Sequence, residues 1–171
     1  MVAHWVVPPG VSASRYLGIY LNDHLAAATG VVELVRRVRS RDPQSELGQF
    51  LTGLEVEILE DRRVLLRIMG ALGVRPDPVK RAAAWAAEKA GRLKLNGHLL
   101  SPSPLSPLVE LDALSLGIEG NRLLWLALAE LPGDEPLAPG TLTGLIERAE
   151  GQRASVERYR VAAARTAAAA A

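Results

Sequence analysis

Residues 42–73 read DPQSELGQFLTGLEVEILEDRRVLLRIMGALG, and this stretch decides the fold. Asp42-Pro43 reads as an N-cap followed by proline at the first helical position, where its missing N–H costs nothing. Gly73 suits the left-handed residue that closes a helix. Between them Leu47, Leu51, Leu54, Ile58, Asp61, Leu65, Ile68 and Leu72 follow alternating four- and three-residue steps, the spacing of a bundle core. Asp61 is the one polar residue on that line. The spacing therefore predicts a helix over about 44–72 that buries one face against other helices.

The same punctuation recurs along the chain. Ser12 or Ser14 can cap a first helix over about 13–40, with Arg36, Arg37 and Arg39 suiting the negative end of its dipole. Asp77-Pro78 opens an alanine-rich helix over 78–96, Ser106-Pro107 opens one over 107–131, and Pro139-Gly140 precedes one over 142–166. Residues 1–11 form an arm containing Trp5 and the Pro8-Pro9 pair, and 167–171 are an alanine tail expected to fray. The bundle itself is expected over 12–166. Three further lines share the bundle spacing: Leu17, Leu21, His24, Ala28, Val31, Val35, Val38; Leu111, Leu114, Ile118, Asn121, Trp125, Leu128; and Leu142, Leu145, Ala149, Gln152, Val156, Tyr159, Ala163. Each carries one polar exception: His24, Asn121 and Gln152.

Composition narrows the function. The 171 residues are 49% hydrophobic and 4% aromatic, which with Ala and Leu dominant favours an all-α domain. Twenty Lys plus Arg against 19 Asp plus Glu leave a net charge of +1, with no footprint for nucleic acid or an anionic membrane. No stretch approaches the ~18 apolar residues a membrane span needs, and the N-terminal run is too short for a signal peptide. A soluble, cytoplasmic protein is expected. The absence of cysteine removes disulfides, thiolate metal sites and a cysteine nucleophile. Phosphate-cradling glycine loops, Gly-x-Ser-x-Gly elbows and His-Glu-x-x-His pairs are also missing, and only His4, His24 and His98 are present. No catalytic residue is assigned, and an enzyme is not expected. The Arg36 to Arg41 run reads as a solvated helix end.

The helix over 78–96 has only a narrow apolar stripe flanked by charge, so it reads as a surface crossover. A crossover of the bundle's length between the second and third core helices makes two antiparallel pairs joined by a long connection, the ferritin-like arrangement. The chain resembles the ferritin-like superfamily, within it a group from high-GC bacteria, through Tyr20-Leu-Asn-Asp-His24, Asp77-Pro-Val-Lys80 leading into Ala84-Trp-Ala-Ala-Glu88, Leu116-Gly-Ile-Glu-Gly120 and Glu147-Arg-Ala-Glu-Gly-Gln-Arg153. The resemblance implies a four-helix bundle with a fifth helix in its crossover. The Glu-x-x-His motifs of the metal-binding members are replaced here by Glu57-Ile-Leu-Glu60 and Glu147-Arg-Ala-Glu150, so the di-iron ligands do not carry over.

At ~1.5 Å per residue, measured from the turn between the first two helices, His24 and Asp61 lie roughly 24 and 27 Å down, and Asn121 and Gln152 about 21 and 20 Å. The four form a mid-bundle polar cluster. A hydrogen-bonded layer that fixes helix register is the expected reading, because amides are poor substitutes for carboxylates in holding iron or manganese. The alternative is a metal-binding protein or metal-carboxylate oxidoreductase with a rearranged site of His24, Glu57, Asp61, Glu119 and Glu150, to which the like-charged Glu57–Asp61 pair at four-residue spacing points. A third reading is a small-ligand carrier with a cavity among Leu54, Ile58, Ile118 and Trp125. The leading expectation is a metal-free ferritin-like bundle acting as a binding or structural module, with a second copy or another protein as partner.

Overall fold

The computed structural model describes residues 13–78, 103–131 and 140–170. Those residues form four α-helices and no strand: α1 Ala13–Arg39, α2 Glu46–Ala71, α3 Ser106–Ala129 and α4 Thr141–Ala169. All but Pro78 of the expected helix over 78–96, together with the Trp5 arm, His4 and His98, lies outside the described residues.

The ends of α2 show how local chemistry sets helix limits. Its first residue is Glu46 rather than a residue near Pro43, and Ser45 is the cap, its Oγ accepting from the Gly48 N–H at 3.0 Å. Asp42 closes the preceding turn instead: its Oδ1 accepts from the Ser45 N–H at 3.1 Å, and its carbonyl accepts from Ser45 Oγ at 2.7 Å. This turn lies on Gly48, where any Cβ would collide with the Asp42 carbonyl oxygen. At the other end Gly73 takes φ 68°, as expected, while Val74 N–H donates to Met69 O at 2.8 Å and Gly73 N–H to Gly70 O at 3.1 Å. That is a Schellman closure, with Val74 packed into the core beside Met69. Helix α3 starts at Ser106 with Leu105 as the cap residue and no side-chain cap, so Ser106 lies inside the helix it was expected to cap.

Two core clusters fix the helix directions. In one, Val32, Val35 and Val38 meet Leu51, Leu54 and Ile58, with Leu111, Leu114, Ile118, Ala149 and Val156. In the other, Leu21 and Leu25 meet Leu65, Ile68 and Met69, with Leu124, Trp125, Leu128, Leu142 and Leu145. The beginning of α1 thus packs with the ends of α2 and α3 and the beginning of α4. Helices α2 and α3 run together, opposite to α1 and α4. Helix α1 packs on α2 and α3, α4 packs closely on α3, and the α2–α4 line is the loosest in the ring.

The expected core lines of α2, α3 and α4 are buried through their middles, while Leu47, Asn121, Tyr159 and Ala163 are only half-buried and Leu72 is exposed. In α1 the line shifts. Leu21, Leu25, Val32, Leu34, Val35 and Val38 are buried, whereas His24, Ala28 and Val31 sit at its margin. A helix gripped by two neighbours buries a broad strip, and the four-three rule picks out only one line within it.

The arginines at the end of α1 do not form a solvated end. Arg36 and Arg39 donate to Glu55 of α2 at 2.7 and 2.6 Å, and Arg37 and Arg41 reach Glu110 of α3. Both glutamates are buried. Alternate arginines therefore fasten α1 to two different helices, while offsetting the negative end of its own dipole.

Candidate functional site

Asp61 is the most deeply buried charged side chain among the described residues, 1% exposed. It stands between Ile58 of one core cluster and Val64 of the other. Burial pushes its carboxyl from 3.8 up to about 6, against the pull of the Arg148 guanidinium and the Gln152 amide and with a further push from Glu57 and Glu60. Arg148 Nη1 donates to Asp61 Oδ1 at 3.0 Å, and Gln152 Nε2 donates to Glu57 Oε2 at 3.1 Å and to Asp61 Oδ2 at 3.5 Å. The like-charged pair at four-residue spacing on α2 is thus bridged by one amide from α4. The guanidinium supplies the opposite charge.

This cluster forms the end of a groove along the loose α2–α4 line. The groove has a volume of about 560 Å³, with Phe50 and Leu54 as its apolar side and Glu57, Arg148, Gln152 and Ser155 as its polar side. Gly53 and Gly151 face it from opposite helices, and a Cβ on either would meet nothing within 4 Å. A glycine inside a helix costs ~1 kcal/mol relative to alanine, and close packing does not account for these two. Neither position contributes a side chain to the groove.

The other expected site residues lie elsewhere. His24 is half-buried with its ring against Tyr20, centroids 4.4 Å apart, and burial lowers its pKa while Asp23 partly opposes. Asn121 is half-buried on α3. Among the described residues no hydrogen bond joins His24 or Asn121 to Asp61 or Gln152. Glu119 accepts from Arg122 at 2.8 Å and Arg153 at 2.7 Å, and the Arg122 hydrogen bond, with Arg153 beside it, holds its carboxyl below the usual range. Glu150 accepts from Arg122 at 3.4 Å. Among the described residues no three His, Cys, Asp or Glu side chains converge as metal ligands. Leu54, Ile58 and Ile118 belong to one core cluster and Trp125 to the other.

Sequence reasoning missed Arg148 and Asn22. Arg148 precedes Gln152 by one turn on the same face, which is the signal that could have found it. Asn22 donates from Nδ2 to Gly18 O at 2.9 Å and to Arg75 O at 3.1 Å, while its Oδ1 accepts from the Asp77 N–H at 2.6 Å. It clasps the segment after α2 to the first helix.

No described helix is long and apolar enough to cross a membrane. Comparison with protein-family models, with curated proteins and with solved structures gives no match.

Proposed function

We propose that this chain is a ferritin-like helical bundle without a di-metal centre, serving as a binding module through the groove between α2 and α4. The observation that carries the reading is the guanidinium of Arg148 on the buried carboxylate of Asp61: the positive charge that this mid-core acid requires comes from a side chain. The donor set does not fit a di-metal centre, since Asp61 accepts from a guanidinium and an amide, and Glu119 and Glu150 are engaged by arginines on another face. Support for the ferritin-like arrangement comes from the helix directions, with α2 and α3 parallel and each antiparallel to α1 and α4. Support for binding comes from the groove, whose apolar side at Phe50 and Leu54 meets hydrogen-bonding groups at Gln152, Arg148 and Ser155. A small amphipathic molecule matches that lining.

Two measurements test the reading. Untagged protein purified without chelator, titrated anaerobically with Fe(II) and Mn(II), is expected to hold no stoichiometric metal; near-stoichiometric binding lost in Asp61→Ala overturns it. An anionic aromatic dye, anilinonaphthalene sulfonate, is expected to bind at one site and to be displaced from it by Gly151→Leu. Dye binding indifferent to that substitution removes the groove from the proposal.

A further inference from the structure

Helix α3 is apolar on two faces. The inner one, with Leu111, Leu114, Ile118, Trp125 and Leu128, belongs to the core. The outer one runs Val109, Ala113, Leu116, Gly120, Leu123, Ala127 in steps of four, three, four, three and four, the spacing of a second helix-packing line, and no charged residue lies on it. Leu116 is 73% exposed, and Val109 and Leu123 are also exposed. An apolar line of this regularity facing water is the mark of a missing neighbour.

The order of side-chain sizes says which neighbour. The six residues are arranged symmetrically about position 118, so that an antiparallel copy of the same helix sets Val109 opposite Ala127, Ala113 opposite Leu123 and Leu116 opposite Gly120. Every large side chain meets a small one. Outside the helix limits, and outside this alternation, the same symmetry sets exposed Leu105 opposite exposed Leu131 as an apolar pair at each end. Helix-on-helix packing needs this alternation, and a two-fold interface needs it to be self-complementary. A hollow of about 330 Å³ beside the line, walled by Gly30, Val31 and Leu34 of α1 and Val109 and Ala113 of α3 with the Arg37–Glu110 ion pair at its edge, offers a place for Leu123 of the second copy opposite Ala113. The geometry points to a homodimer in which α3 packs antiparallel on α3 of a second copy, with the two-fold axis at the level of residue 118. This face lies on α3 and α1, apart from the α2–α4 groove, and the dimer stands whether or not the groove binds a ligand.

Sedimentation of the full chain from ~1 to 200 µM is expected to show a reversible monomer–dimer equilibrium with a micromolar Kd. Leu116→Glu, at a position already open to solvent, and Gly120→Leu, where no neighbour lies within 4 Å, are each expected to raise Kd at least ~30-fold with the helical circular dichroism unchanged. Register is tested by adding one cysteine to this cysteine-free chain. Ala113→Cys and Leu123→Cys proteins mixed and oxidised are expected to cross-link to each other. Either alone is not, because two copies of position 113 lie ~15 Å apart along the axis, beyond disulfide reach. A chain that stays monomeric at 200 µM, a dimer unaffected by both Leu116→Glu and Gly120→Leu, or cross-linking as efficient in Ala113→Cys alone overturns the inference.

Discussion

Asp61 and Arg148 are coupled by burial on one side and charge on the other. Because burial raises the Asp61 pKa from 3.8 to about 6, the folded chain holds a proton across that window that the unfolded chain has released. The contribution of Asp61 to stability is therefore greatest below pH 4 and is lost as pH rises through about 6, at up to ~1.4 kcal/mol per pH unit. Asp61→Leu removes that loss, so its melting temperature is expected to exceed that of the wild type at pH 7.5, with the gain shrinking toward pH 4. Arg148→Ala acts in the opposite sense: it strands an ionised carboxylate at pH 7.5, costing about 2 kcal/mol, and costs much less at pH 5, where Asp61 is protonated. Denaturant melts of both variants at the two ends of this range check the signs. Equal effects at both ends would separate Asp61 from the titration.

Gly53 and Gly151 on one side and Gly48 on the other show two opposite situations for a helical glycine, and each predicts its own outcome. Gly53→Ala and Gly151→Ala add a methyl to open space on a helix and are each expected to stabilise the fold by about 0.5–1 kcal/mol. Gly48→Ala drives a methyl into the backbone of the Asp42-Pro43 turn, which has no side chain to swing away, and is expected to cost at least about 2 kcal/mol. Chemical denaturation of the three variants distinguishes the kinds. At this scale much was legible in the sequence. The four-three spacing found the buried middles of the α2, α3 and α4 lines but not their ends, and Gly73 marked the end of α2 because only a left-handed residue closes a helix that way. The start of α2 was misplaced because Asp42-Pro43 and Ser45 both carry capping chemistry, and the tight approach at Gly48 that selects Ser45 is a tertiary fact. The α1 line was displaced because its second neighbour, α3, is distant in sequence. Depth along the bundle set His24, Asp61, Asn121 and Gln152 at one level, of which Asp61 and Gln152 meet, while Arg148 lies beside its core line and reaches inward on a long side chain that pattern reading assigns to solvent.

Across the molecule, the end that holds the α1–α2 turn is tied by charge and the opposite end by apolar packing and backbone hydrogen bonds. Arg36 and Arg39 fix Glu55, Arg37 and Arg41 fix Glu110, and Arg160 reaches Asp112 from α4 at 3.3 Å. Glu110→Ala unfastens α3 from the α1 end and is expected to lower stability by about 2 kcal/mol, a fall in melting temperature of roughly 4–8 °C for a chain of this size. A change below ~1 °C would show those arginine contacts to be energetically idle. At the far end Trp125 is wholly buried among Leu124, Leu128 and Leu142, and its indole Nε1 has no acceptor among the described residues. An indole shielded in this way emits at short wavelength. The difference between wild-type and Trp125→Phe fluorescence spectra isolates its emission from that of Trp5 and Trp85, so the colour of one ring reports directly whether water has entered the far end of the bundle.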